Sequence, residues 1–322
     1  MEKKLSYLET IKLISETKKC FESQLEKRLG LIKVGSPLFV SSSSGLQDAL
    51  TGVEKSVDFI KGDETFEIVH SLAKWKREAL GKYKFAMHTG LYTDMKAIRK
   101  DEIIDDIHSM YVEQWDWGKV IEKSERTIEY LQMTVKSIYK ALRQTLIIMK
   151  QKYPFLELEL PKTITFITSQ ELEDLYPDKS PKEREEEITK VKKAVFIIGI
   201  GDKLKSGKVH DLRSPDYDDW SLDGDLLIYD KKLDKSVEIS SMGIRVDKRS
   251  LMDQLKKARC EHKLVLPYHQ KVIHEQIPYT IGGGIGQSRV LMLILGKKHI
   301  AEVQASSWDI KTLETLKNMQ IL

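Results

Sequence analysis

The sequence predicts an α+β fold in which helices flank a central antiparallel sheet. Three observations predict it. Long amphipathic helices are inserted between widely spaced strands, neighbouring strands are joined mostly by hairpins, and no internal repeat or stretch of linker composition divides the chain. We therefore expect residues 1–322 to form a single domain.

The chain begins with a predicted helix and strand. Apolar residues recur at helical spacing from about residue 5 to 29, and Gly30 is expected to end this helix. Leu31–Val34 is predicted to be a strand, and Pro37 follows it at a position that suits a sheet edge or a subunit interface. Simple packing within one subunit is the alternative explanation of this segment.

A long hairpin is expected from two alternating segments, Gly90–Arg99 and His108–Trp117, which are separated by an acidic turn. Period two places Gln114 and Asp116 on one face of the second strand and Trp115 on the other. A few polar groups among apolar neighbours are typical of the floor of a binding cleft.

The middle of the chain alternates between helices and strands. A long helix is predicted from about residue 124 to 152, and a capping box at Ser180 begins a charged helix that ends near Lys193. Strands are expected at Thr163–Thr168, Ala194–Ile200, Leu226–Tyr229 and Ser236–Ser241. Two short helices near 249–260 and 267–276 follow.

The stretch Thr280–Leu295 contains three consecutive glycines and a fourth just before an apolar helix that carries Arg289. Backbone without Cβ atoms lets a flat ligand lie against a strand, and the arginine offers a planar fork to a phosphate. The spacing matches neither a dinucleotide-binding fingerprint nor a Walker loop. A glycine hairpin beside a core helix, with a solvated arginine, is the alternative.

Two charged segments each allow two interpretations. His70–Arg77 contains two lysines and an arginine around a tryptophan, a pattern that usually belongs to a solvated helix face. Five carboxylates fall within ten residues between Asp216 and Asp225, and they form either a solvated loop, which the pattern favours, or a cation site. Glu238 on a predicted strand is costly to bury without a cation. Together with Asp225 it would suit magnesium bound with nucleotide phosphates.

Composition excludes several classes of protein. The 53 Lys and Arg nearly balance the 49 Asp and Glu, so a nucleic-acid surface is not demanded. No apolar run is long enough to cross a membrane, and the N-terminus lacks an apolar signal core. Two cysteines, Cys20 and Cys260, exclude a disulfide scaffold and a zinc site of several thiolates. We expect a cytoplasmic protein with no membrane and no nucleic-acid partner.

Six strings follow one another in a fixed order: HSLAKWKR at 70–77, GLYTDMKAIR at 90–99, YVEQWDW at 111–117, PDYDDW at 215–220, EISSMGIRV at 238–246 and TIGGGIGQSR at 280–289. In this order they resemble the ammonia-dependent aspartate–ammonia ligase (asparagine synthetase A) family, which is related to the class II aminoacyl-tRNA synthetase catalytic core. The N-terminal helix, strand and Pro37 resemble the first class II motif. The segments Ile98–Glu102 and Gly282–Arg289 resemble the second and third. The connector between Trp220 and Asp223 is shorter than the loop of some family members. The resemblance therefore does not decide whether a lid forms there.

The resemblance implies a homodimer that adenylates the side-chain carboxylate of L-aspartate with ATP and magnesium. Ammonia then displaces AMP to give L-asparagine, and pyrophosphate is the other product. It also implies that the domain is a single catalytic domain whose helix and strand at about 5–40 form the dimer.

The resemblance assigns roles to individual residues. Arg99, Lys76, Asp48 and Arg289 are implied for catalysis. Aspartate and the incoming ammonia are implied to meet Ser71, Gln114, Asp116, Asp218, Ser240 and Arg245. ATP is implied to contact Arg99, Gly284, Gly286 and Arg289, and Asp225 and Glu238 are implied to hold magnesium.

Free ammonia is the expected nitrogen donor. Glutamine-dependent amide transfer generally needs an activated cysteine nucleophile or an equivalent amidase unit. Cys20 lies on the first predicted helix, Cys260 lies in a charged segment, and position 2 is Glu2 rather than a cysteine.

Two other functions are weighed against this one. A class II aspartyl- or asparaginyl-tRNA synthetase shares the adenylation core but needs an anticodon-binding domain, for which neither end of this chain leaves room. A non-catalytic synthetase-like regulator would bind ligand only. The presence of Arg99, Asp225, Glu238 and Arg289 argues against the regulator.

Overall fold

The computed structural model of the protein describes residues 5–51 and 54–322. Within these ranges an eight-stranded, mostly antiparallel sheet is flanked by helices, and a separate three-stranded sheet is present. The predicted α+β class is confirmed. The predicted single domain also includes residues 1–4 and 52–53, which lie outside the described residues.

The helices and strands are named in chain order. The helices are α1 (Tyr7–Leu29), α2 (Ala73–Lys82), α3 (Ile128–Lys152), α4 (Ser169–Leu175), α5 (Pro181–Lys192), α6 (Lys248–Lys257), α7 (Pro267–Ile273), α8 (Gln287–Leu295) and α9 (Ile310–Leu316). The strands are β1 (Leu31–Lys33), β2 (Phe39–Ser41), β3 (Asp58–Lys61), β4 (Glu64–Ile68), β5 (Gly90–Ile98), β6 (Tyr111–Val120), β7 (Thr165–Thr168), β8 (Ala194–Ile198), β9 (Asp218–Asp230), β10 (Lys235–Arg245) and β11 (Thr280–Gly286).

The predicted ends of two helices are confirmed. Gly30 ends α1 in the left-handed region at φ 69°, and its N–H donates to the carbonyl oxygen of Glu26. This conformation costs glycine nothing because it has no Cβ. At the start of α5, Ser180 and Glu183 form the expected capping box, with Pro181 at the first helical position.

The order of strands in the large sheet is β1-β5-β6-β11-β10-β9-β8-β7. The two edge pairs, β1 with β5 and β7 with β8, are parallel, whereas the central pairs are antiparallel. The glycine strand β11 therefore lies in the middle of the sheet, between β6 and β10. Segments far apart in sequence are brought onto one continuous face.

The main core lies between the other face of this sheet and helices α1 and α3. Trp115 and Trp117 of β6 are fully buried there, and the ring centroids of Phe21 and Trp115 are 4.7 Å apart. The indole N–H of Trp115 donates to the carboxylate of Glu22 at 3.0 Å, which satisfies its polar atom. The first predicted helix is thus fixed against the strand that carries Gln114 and Asp116.

Two regions differ from the sequence-based expectations. The hairpin predicted at Leu226–Tyr229 and Ser236–Ser241 is longer, because β9 begins at Asp218 and β10 continues to Arg245. The connector between Trp220 and Asp223 is part of β9, so these residues form no lid loop. The three-stranded sheet of β2, β4 and β3 was not predicted.

No helix among the described residues is both long enough and apolar enough to span a membrane.

Candidate active site

A cavity of about 390 Å³ opens over one face of the central sheet. Strands β6, β11, β10 and β9 contribute to its floor. Ten of the expected site residues line it: Ser71, Arg99, Gln114, Asp116, Asp218, Glu238, Arg245, Gly284, Gly286 and Arg289. The other four, Asp48, Lys76, Asp225 and Ser240, are buried and do not line it.

The predicted alternation of β6 is confirmed. Gln114 and Asp116 face the cavity, while the neighbouring tryptophans face the core. Asp116 forms an ion pair with Lys76 and accepts a hydrogen bond from the backbone N–H of Leu72 at 2.9 Å. The side-chain amide of Gln114 has no hydrogen-bond partner among the described residues. It is therefore free to bind a ligand.

Two distant carboxylates hold the N-terminus of α2. Asp116 accepts from Leu72 N–H, and Asp48 accepts from the N–H of Ala73 at 2.5 Å and from the hydroxyl of Ser71 at 2.6 Å. Carboxylates are favoured at this position because they satisfy free amides and complement the helix dipole. The pair fixes Ser71 at the cavity.

The interpretation of His70–Arg77 as a solvated helix face is wrong. Lys74, Lys76 and Arg77 are 2%, 1% and 3% exposed. Arg77 donates to the carbonyl oxygens of Pro278 and Val246, and Lys74 pairs with Asp216, so each cation has partners inside the protein. Burial and the nearby Arg245 lower the pKa of the Lys76 ammonium well below its ordinary value.

The interpretation of the five carboxylates as a solvated loop is also wrong. All of them are buried: Asp216, Asp218, Asp219, Asp223 and Asp225. Four are paired with cations that lie elsewhere in the sequence, because Asp216 meets Lys74, Asp218 meets Arg245, Asp219 meets Arg126 and Asp225 meets Arg213. Buried carboxylates remain tolerable when such pairs form.

Arg245 and Asp218 form an ion pair between the ends of β10 and β9, and both side chains line the cavity. Burial raises the pKa of Asp218, although the positive charge of Arg245 opposes that change. The guanidinium carbon of Arg245 lies 5.8 Å from the ring centroid of Tyr217. The carboxylate of Asp218 and the ring of Tyr217 together orient the guanidinium of Arg245.

The glycines of β11 leave room for the side chains of the site. A Cβ at Gly284 would lie 2.4 Å from Oε1 of Gln114, and one at Gly282 would lie 2.8 Å from Nη2 of Arg245. Any larger residue at these positions would displace those groups. The sequence suggested bare backbone against a ligand, whereas at these two positions the space already holds Gln114 and Arg245.

Two arginines form a positive part of the cavity. Arg289 donates to the carbonyl oxygen of Glu238 at 3.0 Å. Arg99 makes two long contacts, at 3.5 Å with the carbonyl oxygen of His70 and at 4.0 Å with the carboxylate of Glu102. The Nε atom of Arg99 is buried without a hydrogen-bond partner among the described residues. Guanidinium groups with unused donors are suited to phosphate.

The two expected metal ligands lie on adjacent strands, Asp225 on β9 and Glu238 on β10. Burial raises the pKa of Asp225 to about 6, with Arg213 opposing and Glu238 adding to the rise. Desolvation would raise the pKa of Glu238, but Arg289 and Arg213 lower it. The Oδ1 atom of Asp225 is buried without a hydrogen-bond partner among the described residues.

This donor set fits a hard cation. Two carboxylates with an unused oxygen suit magnesium when phosphate oxygens and water complete the coordination. Within residues 5–51 and 54–322, no group of three or more His, Cys, Asp or Glu could hold a metal ion without such help. A metal here would therefore need the nucleotide as a further ligand.

A bulge changes the face of β10 that was expected to present Ser240. The register shifts between Glu238 and Ser240, so Glu238 and Ser241 line the cavity. Ser240 is buried and donates to the carbonyl oxygen of Gly284 at 2.8 Å. The structure thus places the Ser240 side chain against the backbone of the neighbouring strand β11, and Ser241 at the cavity.

Two cations of the cavity were missed in the sequence. Arg213 pairs with Asp225 and Asp211, and Lys182 of α5 pairs with Glu185. The signal for Arg213 was its position three residues before the acidic stretch, where a counter-charge was needed. Lys182 had no such signal, because only the fold brings α5 to the cavity.

Comparison with known proteins gives consistent matches along the chain. A family model described as aspartate–ammonia ligase matches residues 8–320. The chain is 56% identical over 320 residues to the aspartate–ammonia ligase of Clostridium perfringens strain SM101, which covers 98% of this chain and 95% of that protein. It is 54% identical over 305 residues to the same enzyme of Lactobacillus johnsonii, covering 94% of this chain and 91% of that protein.

The fold is also found in solved structures. Asparaginyl-tRNA synthetase from Pyrococcus horikoshii, complexed with asparaginyl-adenylate, superposes with a TM-score of 0.67 at 14% identity, covering 92% of this chain and 67% of that one. The asparaginyl-tRNA synthetase of Entamoeba histolytica, also with asparaginyl-adenylate, gives 0.65 over 92% of this chain and 66% of that one, at 14% identity. The class II synthetase-like core expected from the motifs is confirmed.

Proposed function

The chain belongs to the aspartate–ammonia ligase family, and we propose that it makes L-asparagine from L-aspartate, ATP and ammonia through a β-aspartyl-AMP intermediate. The observation that carries this function is the cavity itself. It combines a set of groups suited to an amino acid, Gln114, Asp116, Asp218 and Arg245, with two arginines suited to phosphate, on one face of the sheet.

Aspartate must be held by its α-amino and α-carboxylate groups so that its side chain is free to react. Asp116 and the amide oxygen of Gln114 are acceptors for an ammonium group, and the guanidinium of Arg245 is a donor for a carboxylate. Asp116 is held by its ion pair with Lys76, and Arg245 is held by its ion pair with Asp218. The side chain of Gln114 lies against the backbone of Gly284. Preorganisation of this kind lowers the entropy cost of binding.

Adenylation joins the side-chain carboxylate oxygen of aspartate to the α-phosphorus and releases pyrophosphate. Negative charge increases on the phosphate oxygens during attack, and Arg99 and Arg289 lie in the same cavity to stabilise it. In the second step the nitrogen of ammonia bonds to the acyl carbon, the bond from that carbon to AMP breaks, and the nitrogen loses a proton. A similar adenylate is named in the two synthetase complexes above.

Asp225 and Glu238 are the proposed magnesium ligands, since they lie on adjacent strands and Asp225 has an unused oxygen. Magnesium bound there with the nucleotide would neutralise phosphate charge and stabilise the transition state. Before any metal binds, Arg213 and Arg289 balance these two carboxylates.

We also propose a homodimer formed through α1 and β1. Leu8 and Ile11 of α1 are 60% and 50% exposed, and Ile32 of β1 is 61% exposed. Apolar residues that continue the stripe of α1 without cover favour association with a second copy. Light scattering coupled to size exclusion would test this, and cell fractionation would test the expected cytoplasmic location.

The decisive experiment incubates the purified protein with aspartate, ATP, magnesium and ¹⁵N-ammonium. We expect labelled asparagine, AMP and pyrophosphate, with no product when aspartate is left out. ADP as the product, or a requirement for tRNA, would contradict the proposal. The second result would favour the tRNA synthetase alternative.

A further inference from the structure

Lys182 of α5 lines the cavity, although no step described above uses it. Its ammonium lies 2.9 Å from Oε2 of Glu185, which is its one hydrogen-bond partner among the described residues. An ammonium group has three donors, so two of them remain for a ligand. The Lys182 side chain is 73% exposed, and a ligand that enters the cavity can therefore reach it.

Side-chain contacts hold α5 beside the strand that carries Glu238. The backbone N–H of Ser236, two residues before Glu238 on β10, donates to the carboxylate of Glu186 of α5 at 2.8 Å. The neighbouring Glu185 is buried, and its Oε1 lies 3.0 Å from Nε2 of the buried His210. Because Glu185 is fixed in this way, the ammonium that pairs with its other oxygen has a defined position at the cavity.

The charge of Lys182 acts on the part of the cavity that contains a proposed magnesium ligand. Although desolvation opposes it, the carboxylates of Glu185 and Glu238 raise the pKa of the Lys182 ammonium above its ordinary value, so this group is charged at neutral pH. Desolvation would raise the pKa of Glu238, but Arg289 and, to a smaller extent, Lys182 lower it. Lys182 and Glu238 are therefore close enough to share one ligand.

The two ends of the cavity differ in the ligands that they suit. Glu238 and Arg245 are the first and the last residue of β10 that line it, and about 3.3 Å per residue places them roughly 20 Å apart. The end at Arg245 holds the groups suited to an amino acid. The end at Glu238 collects positive charge, from Arg289 and Lys182. An uncharged adenine ring gains little from such cations, whereas phosphate groups gain strong hydrogen bonds.

We propose that Lys182 binds the β- and γ-phosphates of ATP and, after adenylation, the pyrophosphate that they form. This inference rests on the proposed function. When the side-chain oxygen of aspartate bonds to the α-phosphorus, the bond from that phosphorus to the oxygen bridging to the β-phosphorus breaks. Pyrophosphate leaves with the electron pair of that bond, and the ammonium of Lys182 stabilises the negative charge that the leaving group gains.

Three ligands separate this role from a structural one. ATP and inorganic pyrophosphate carry the phosphates that Lys182 is proposed to bind, and AMP lacks them. In Lys182→Gln we expect the Kd for ATP and for pyrophosphate, measured by calorimetry at one magnesium concentration, to rise by about 10–100-fold, as for the loss of one hydrogen bond to a charged group. The Kd for AMP should stay within about 2-fold, which corresponds to less than about 0.5 kcal/mol.

Two further variants serve as controls. Lys182→Arg keeps the positive charge and is expected to restore most of the affinity for ATP and pyrophosphate. Lys190→Gln removes an exposed lysine of the same helix that does not line the cavity, so its three Kd values should match those of the wild type. Since the Lys182 side chain is exposed, we expect its variants to fold, and circular dichroism checks this.

Equal changes in Kd for all three ligands, or no change in any of them, would overturn the inference while leaving the proposed function intact. A Lys182→Arg variant that binds ATP no better than Lys182→Gln would also overturn it. Selective loss of ATP and pyrophosphate affinity in Lys182→Gln, with a wild type that makes no asparagine, would contradict the proposed reaction alone. A wild-type protein that binds no ATP would overturn both.

Discussion

Lys76 and Asp116 form an ion pair that is almost completely excluded from solvent. The ammonium of Lys76 also donates to the carbonyl oxygen of Gly283 at 3.2 Å. A single side chain thus joins α2, β6 and β11 beneath the cavity. This geometry makes Lys76 the residue that holds Asp116 in place.

Lys76→Met is expected to lower the free energy of unfolding by about 3–5 kcal/mol, because it leaves the buried charge of Asp116 without its partner. Urea denaturation at pH 7 measures the change. The double variant with Asp116→Asn should recover part of the loss, and Lys298→Met, at an exposed lysine, should have little effect. Unchanged stability in Lys76→Met would show that the pair is not needed.

Arg289→Ala is expected to slow adenylation by roughly 10²–10³-fold, as for the loss of one preorganised donor to developing charge. Pyrophosphate exchange in the presence of aspartate measures it, with thermal unfolding as the check on folding. Arg249→Ala removes an exposed arginine from α6 and should leave exchange unchanged. Full exchange in Arg289→Ala would refute the role given to this residue.

Glu238→Ala is expected to abolish adenylation at ordinary magnesium concentrations and to leave the fold intact, since its carboxylate is a proposed ligand on the cavity wall. A magnesium titration of the exchange reaction tests this, with exposed Glu314→Ala as the control. An unchanged magnesium dependence would exclude Glu238 as a ligand.

Gly284→Ala is expected to raise the KM for aspartate by roughly tenfold or more, because its Cβ would displace the amide of Gln114 and remove a hydrogen bond to a charged group. Steady-state kinetics with varied aspartate measure it. In Gly35→Ala the added Cβ would meet no atom within 4 Å at an exposed position that does not line the cavity, so this variant is the control. Equal aspartate KM values in the two variants would contradict the prediction.

His70 is expected to make stability depend on pH near neutrality. Burial, followed by the charge of Arg99, lowers the pKa of His70 in the folded protein, whereas the unfolded chain titrates near about 6.5. The unfolded state therefore binds more protons than the folded state. The contribution of neutral His70 to stability is fully present above the pKa that His70 has in the unfolded chain, and it is lost as the pH falls toward the lower pKa that His70 has in the folded protein.

Denaturation from about pH 7.5 to 5.5 should show a shallower loss of stability in His70→Gln than in the wild type. His262→Gln, at an exposed histidine, should follow the wild type. Parallel curves for the wild type and His70→Gln would contradict the pKa direction assigned to this residue.

Local sequence patterns predicted most of the helices and strands, but they did not predict which charged side chains are buried and paired. Alternation correctly separated Gln114 and Asp116 from the tryptophans, because period two is a property of a single strand. The burial of Lys74 and Asp216 could not be predicted in this way, since each is neutralised by a residue 142 positions away. Ten of the residues expected from the motifs line one cavity. The bulge between Glu238 and Ser240 could not be predicted from the motifs, and because of it Ser241 rather than Ser240 lines the cavity.

The capping of α2 also has a kinetic consequence. Its first amides bind carboxylates that are 25 and 44 residues away in sequence, so the helix cannot complete its N-terminus from local contacts. The longer of these loops closes only when β6 reaches the helix, a non-local event that is slow compared with helix formation. During refolding, the appearance of hydrogen-exchange protection at Leu72 and Ala73 would therefore report the moment at which the floor of the cavity is assembled.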